Sequence, residues 1–200
     1  MRTPMSTGGL ERLVRAGDAR RAEGAEHCGM CSAPIAAEHR HLYDAEARNV
    51  MCVCRACTLL FNRAAASNGH YRLVPEQRRR VPPVDTTALG VPVGLAFFVR
   101  DHAGQVSAHY PSPAGATEWL VDREDWASVV AGCPPLAELE PEVEAFLVNT
   151  ARGQREFWVV PVDDCFRLVA VVRTEWRGLS GGSTVWPAIG RFFEELDESD

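Results

Sequence analysis

Apolar and polar positions follow different patterns in the two halves of this 200-residue chain. Beyond residue 90, apolar runs recur at strand length. Leu95-Ala-Phe-Phe-Val99 is short and continuous, as in a buried strand, and Gln105-Val-Ser-Ala-His-Tyr110 alternates. The turn-like Asp101-His-Ala-Gly104 between them predicts a hairpin. Three further strands are expected at 143–150, 156–162 and 165–174, the last on the strength of Leu168-Val-Ala-Val-Val172. Helical spacing marks two segments. Asp122 as N-cap, with Glu124 and Asp125 ahead of Trp126, Val129 and Val130, predicts a helix that Pro134-Pro135 ends. Ser183 or Thr184 caps a C-terminal helix whose Val185, Trp186, Ile189, Phe192, Phe193 and Leu196 share one face. Strands in runs with helices inserted or appended predict an α+β domain at 85–200, built on a mostly antiparallel sheet.

Upstream the apolar pattern thins. Residues 1–26, with Leu10, Leu13, Val14 and Gly17 at helical spacing, form either a short amphipathic helix or a frayed tail. His41-Leu-Tyr43 and Val50-Met-Cys-Val53 are expected as strands of a small hairpin. Around them, cysteine takes the place of a large core. Cys28-Gly-Met-Cys31 and Cys52-Val-Cys54-Arg-Ala-Cys57 put five cysteines into 30 residues. Each CxxC turn aims two thiolates at one point, and two such turns close a tetrahedron around Zn²⁺ or a single iron. Cys28, Cys31, Cys54 and Cys57 are the symmetric ligand set. Cys52, which shares a strand face with Cys54, and His27 are the candidate substitutes, with His39 and His41 behind them. Ser32 and Thr58 stand where rubredoxin-type knuckles usually carry glycine, and Arg55 replaces the usual proline. Structural zinc is therefore expected ahead of an electron-transfer iron. Residues 58–66 can continue as a strand, making a ribbon or rubredoxin-like module, or begin a helix, making a treble clef. The module is bounded at 27–77, and 78–84 is expected as a linker.

Composition supports this division. Hydrophobic content of 46% and charged content of 24% are those of a soluble globular protein. The longest apolar run, at 93–99 and broken by Gly94, is too short to cross a bilayer, and the N-terminus carries no apolar stretch of signal-peptide length. A cytoplasmic protein is expected, and there clustered cysteines read as metal ligands rather than disulfides. All 21 basic residues are arginine, which excludes Schiff-base and P-loop lysine chemistry. Residues 1–83 carry a net charge of +5 and residues 84–200 one of −11. Arg78, Arg79 and Arg80 sit at the joint and read as a solvated linker, and the acidic second half would repel nucleic acid.

Catalytic patterns are weak. Gly178-Leu-Ser180-Gly-Gly182 matches GxSxG between two elements, but the hydrolase order needs a histidine after the serine and the last histidine is His109. His39, His41, Asn49, Asn62 and His70 loosely echo an HNH nuclease finger, without the Asp-His pair that such an enzyme needs. Cys133 and Cys165 read as small buried hydrophobes. Most of the five tryptophans, all in the second half, belong in its core. The candidate binding surfaces are Trp176, Arg177 and Ser180 in the Gly-rich loop, and Tyr110 in the Pro-rich stretch that continues to Glu118.

The chain resembles an uncharacterised actinobacterial family, a domain of unknown function. The likeness rests on Glu38-His-Arg-His41, Cys52-Val-Cys-Arg-Ala-Cys57, Gly69-His-Tyr-Arg-Leu-Val-Pro75, Val91-Pro-Val-Gly-Leu-Ala-Phe-Phe98, Tyr110-Pro-Ser-Pro113 and Trp176-Arg-Gly-Leu-Ser-Gly-Gly182. The resemblance implies a gene neighbourhood of high-affinity NiFe hydrogenases. The layout is also similar to fusions of a rubredoxin to a HybE-like hydrogenase chaperone. The expected role is thus a non-enzymatic, zinc-binding accessory or assembly factor or adaptor, with hydrogenase subunits or maturation factors as partners. The competing roles are a rubredoxin-like electron carrier, a zinc-finger nucleic-acid-binding protein and an HNH-like nuclease.

Overall fold

A computed structural model describes residues 26–61, 67–91, 94–178 and 181–198. The tail or short helix expected at 1–26 lies, apart from Glu26, outside them. Two antiparallel sheets organise the chain. The smaller holds β1 (Arg40–Asp44), β2 (Asn49–Val53) and β3 (Tyr71–Leu73) in the order β2-β1-β3. The helix α1 (Arg55–Leu60) follows β2 directly. The larger sheet is six-stranded and antiparallel throughout, in the order β4-β9-β8-β5-β6-β7. Its strands are β4 (Arg79–Arg80), β5 (Leu95–Arg100), β6 (Val106–Ser112), β7 (Gly115–Leu120), β8 (Glu144–Asn149) and β9 (Glu156–Pro161). Three helices cover it: α2 (Arg123–Gly132), α3 (Val162–Glu175) and α4 (Val185–Asp197).

The continuous apolar runs of β5, β8 and β9 are explained by burial on both faces. Ala96, Phe98, Phe146, Val148, Phe157 and Val159 face one core, with Trp126 and Val129 of α2 and the 3₁₀ turn carrying Leu136. Their neighbours Leu95, Phe97, Ala145, Leu147, Trp158 and Val160 face the other, under α3 and α4. Period two thus divides each strand between two layers. Trp158 and Trp126 are buried, whereas Trp119, Trp176 and Trp186 are half-buried at the edges.

Both helices read from capping and spacing form. Asp122 accepts a hydrogen bond from the Glu124 amide at 2.8 Å, and α4 buries Val185, Ile189, Phe192, Phe193 and Leu196. The segment 165–174, expected as a strand, is instead most of α3. Its buried residues Val162, Cys165, Leu168, Val169 and Val172 fall at helical spacing, while Phe166, Arg167, Ala170 and Arg173 are exposed. The β-branched run at 169–172 imitates a strand, but Asp163 and Asp164 in the first turn suit the helix dipole. The Pro-rich surface stretch also differs. Tyr110, Pro111 and Ser112 end β6, and β7 returns beside it through Pro113 and Ala114. Pro111 lies beyond His109, the last β6 residue paired with β5, so its missing N–H breaks no bond to that neighbour.

The expected linker also carries structure. Arg79 and Arg80 pair with Val159 and Trp158 on β9, the Val81 amide donates to the Phe157 carbonyl at 2.9 Å, and Val81 is buried. The two halves therefore meet along a seam. Tyr43 and Val74 pack on Val143 and Val162, and the Arg72 guanidinium donates to Glu140 at 2.8 Å and to the Pro141 carbonyl.

Candidate metal centre

Two local turns build the four-cysteine cluster. In the first, the Ser32 amide donates to the Cys28 carbonyl and the Cys28 amide to the Ala33 carbonyl, both at 2.8 Å. Ser32 holds φ at 59°, a left-handed conformation that glycine adopts freely, which is why glycine is usual there. The Gly29 amide donates to the Cys52 carbonyl at 2.8 Å and ties this turn to the end of β2. In the second turn, Cys54 is the N-cap residue of α1 and Cys57 lies in its first turn, with the Thr58 amide bonded to the Cys54 carbonyl at 2.9 Å. The chain after the second cysteine pair is thus helical rather than a third ribbon strand.

These turns bring the sulfurs of Cys28, Cys31, Cys54 and Cys57 within 4.8 Å of one another, and Cys31 Sγ lies 3.7 Å from Cys54 Sγ. A tetrahedron with Zn–S bonds of about 2.3 Å has sulfur–sulfur edges of about 3.8 Å. The donor set and its spacing therefore fit a four-coordinate metal, and all four are free thiols. Cys28 and Cys57 are buried, Cys54 is half-buried and Cys31 is exposed.

The local electrostatics are uneven. Burial pushes the Cys28 thiol up, yet amide hydrogen bonds from Cys54, Cys31 and Met30 outweigh it and bring it down to about 6. Burial, reinforced by the neighbouring thiols of Cys31, Cys28 and Cys54, pushes Cys57 up to about 12. The Cys57 amide lowers Cys54. Amides that point at sulfur favour thiolate, but four thiolates so close repel one another, and a bound cation removes that repulsion.

Neither candidate substitute joins the cluster. Cys52 belongs to the opposite face of β2, grouped with His39 and His41, and His27 is exposed in an isolated bridge to Pro34. The helical start at Cys54 selects it over Cys52. It rotates Cys54 and Cys57 toward the first turn, while β2 aims Cys52 away.

The surface candidates scatter. Trp176 is half-buried against the core under α3 and α4, and its Nε1 donates to the Gly178 carbonyl at 2.9 Å. Arg177 is exposed and donates to the Thr174 and Trp176 carbonyls. Ser180 lies outside the described residues. Tyr110 stacks on Trp119 with ring centroids 3.5 Å apart and donates its hydroxyl to the Gly90 carbonyl. Trp176 and Tyr110 thus brace the loops beside them. Of the HNH echo, Asn62 lies outside the described residues, and His70 is held between Asp44 and Glu46 at 3.1 Å each.

Each arginine of the run has an acidic partner. Arg78 forms a two-pronged pair with Asp164, at 2.7 and 3.2 Å, Arg79 meets Glu144, and Arg80 meets Glu156 and Asp197. No helix among the described residues is long and apolar enough to cross a membrane.

Residues 27–200 match a family of unknown function, DUF5947. The chain belongs to that family. Its extent takes in both the cysteine cluster and the six-stranded sheet, so DUF5947 describes the two halves as one unit. No curated protein and no solved structure matches the sequence.

Proposed function

We propose that this DUF5947 member is a non-enzymatic adaptor, built on a treble-clef module with one structural zinc. It would serve as an accessory or assembly factor for a metalloenzyme. The observation that carries the reading is the four-sulfur set, whose 3.7 Å Cys31–Cys54 separation suits a closed zinc tetrahedron. A closed site of this kind supplies a cross-link, not an open coordination position. Zinc is favoured over iron by Ser32 and Arg55 at the knuckle positions, and a bound metal is favoured by the small apolar cluster around the cysteines, whose fully buried members beside them are Leu42 and Val53. Docking is supported by Leu59 and Leu60 on α1, which are 63% and 66% exposed. The engaged arginines 78–80 leave the nucleic-acid reading with less support. In this reading the enzyme served is a NiFe hydrogenase, on the gene neighbourhood that the resemblance implies.

Two measurements test this together. Metal analysis of the full chain, purified without chelator, is expected to give at least one equivalent of zinc that Cys54→Ser removes. A tagged chain expressed in its native host is expected to recover hydrogenase subunits or maturation factors, and its deletion to lower hydrogen uptake. Iron in place of zinc, with a red colour, would turn the reading to electron transfer. Normal uptake with no such subunit recovered would remove the hydrogenase role and leave only the zinc module.

A further inference from the structure

The face of β1 and β2 turned away from the four-cysteine cluster carries a second group of metal-binding side chains. His41 is paired directly with Cys52 across the two strands, and His39, two residues before His41, falls on the same face. One ligand atom from each of His39, His41 and Cys52 lies within 4.8 Å of the others, and the two imidazole centroids are 4.9 Å apart. The sheet register alone brings together residues 39, 41 and 52.

Both imidazoles are held as ligands are held. His39 Nδ1 lies 3.0 Å from the Ala36 carbonyl and 3.1 Å from the Ala37 carbonyl. Carbonyl oxygens only accept, so Nδ1 carries a proton, and in the neutral ring it is Nε2 that keeps the lone pair. That Nε2 is buried without a hydrogen-bond partner, in a side chain only 10% exposed, and the Glu26 carboxylate is 3.6 Å away. A buried nitrogen with no partner is costly and asks for an explanation. His41 Nδ1 lies 2.7 Å from Asp163 Oδ2 at the start of α3. A carboxylate behind a histidine in this way fixes the ring and strengthens its free nitrogen as a ligand. His39, His41 and Asp163 also line a groove of about 1090 Å³ between the two halves, with Pro34, Ile35 and Leu59 among its apolar walls.

We propose that His39, His41 and Cys52 form a second metal site, taking a borderline divalent transition ion such as Zn²⁺ or Co²⁺, with its fourth coordination position open to this groove. Two imidazoles and a thiolate are donors that such ions prefer over Mg²⁺ or Ca²⁺. Three protein ligands plus an open position is the arrangement of reactive rather than structural zinc. Asp163 is the positioning residue, and it makes the site complete only when α3 is docked on the small sheet. The site shares no ligand with the four-cysteine cluster.

The test uses the full-length chain with its first zinc in place, titrated with Zn²⁺ against a chromophoric chelator. A second equivalent is expected. Cys52→Ser and His39→Gln should each weaken it at least about tenfold, and Asp163→Asn by about 10–100-fold, while the first equivalent stays. Cys54→Ser should instead remove the first and, with the small sheet that carries His41 and Cys52, the second as well; a first equivalent that survives Cys54→Ser would mark failure of the structural-zinc reading, told apart from failure of this one. Co²⁺ added to the unsubstituted chain gives a readout free of folding defects. A sulfur-to-cobalt charge-transfer band should rise with the second equivalent while metal analysis shows the first zinc retained. The proposal is overturned if no second equivalent binds in excess zinc, which would leave His39 and Glu26 as an ion pair only. It is equally overturned if the second equivalent survives both Cys52→Ser and His39→Gln unchanged, or binds without the charge-transfer band.

Discussion

A fragment beginning at residue 85 lacks β4 and Val81, whereas one beginning at residue 76 keeps them, and the pair measures how far the large sheet depends on the arginine segment. Burying Val81, 6% exposed in the core under α2, stabilises by about 1.5–3 kcal/mol. The ladder of Arg79 and Arg80 with Val159 and Trp158, and the Val81 amide bond to Phe157, together add roughly 1–3 kcal/mol net. Asp164, 4% exposed, also loses its two-pronged partner Arg78 and keeps only Arg167 at 3.4 Å. The shorter fragment is therefore expected to be less stable by about 2.5–6 kcal/mol before that loss is counted, a large share of an ordinary domain's 5–15 kcal/mol. With a urea m-value of about 1–3 kcal/mol/M, its unfolding midpoint falls by roughly 1 M or more, or it fails to fold. Tryptophan fluorescence, to which buried Trp158 on β9 beside β4 contributes with the other four tryptophans, reports the transition. In the full chain, Val81→Ala should by itself cost about 1.5 kcal/mol. Equal midpoints for the two fragments would refute the reasoning and make 78–84 a linker after all.

Chelation of the zinc proposed for the four-cysteine cluster is expected to strip amide-exchange protection from β1, β2 and β3 while β5, β8 and β9 keep theirs; unchanged protection at Leu42 and Val53 would show that the small sheet does not depend on a bound ion. Asp122→Ala should lower stability by about 1 kcal/mol through loss of the α2 cap, with Asp122→Asn largely restoring it, and equal denaturation midpoints for all three proteins would refute the capping role. Burial against Phe97 holds the His109 pKa below the usual 6.5, so the unfolded chain takes up a proton that the folded one resists. Its contribution is complete above 6.5 and is lost as pH falls from there toward the folded value; His109→Gln should flatten that slope, and an unchanged slope in urea midpoints would place the acid sensitivity elsewhere.

The chain's own order determined the elements whose cause is local. A CxxC turn places two sulfurs together whatever surrounds it, so the clustering of Cys28, Cys31, Cys54 and Cys57 was legible from spacing, as were the cap at Asp122 and the apolar face of α4. The β1–β2 and β5–β6 hairpins were legible for the same reason, since their partners are close in sequence. Where the cause is a distant neighbour, the pattern misleads. The β-branched run of α3 took a helical form because its period matched the core that β8, β9 and α4 offer. Arg79 and Arg80 look like solvated charge until β9, nearly eighty residues later, pairs with them and Glu144 and Glu156 supply counter-charges. The bracing of Trp176 by Gly178 and of Tyr110 by Trp119 likewise appears only in the folded chain. The choice of Cys54 over Cys52 needed the helix start after β2, and the juxtaposition of His39, His41, Cys52 and Asp163 needed both the strand register and the docking of the two halves. Spacing along the chain fixes what a short turn can bring together, whereas contacts between remote segments depend on which apolar faces bury each other, and that is decided only when the whole chain packs.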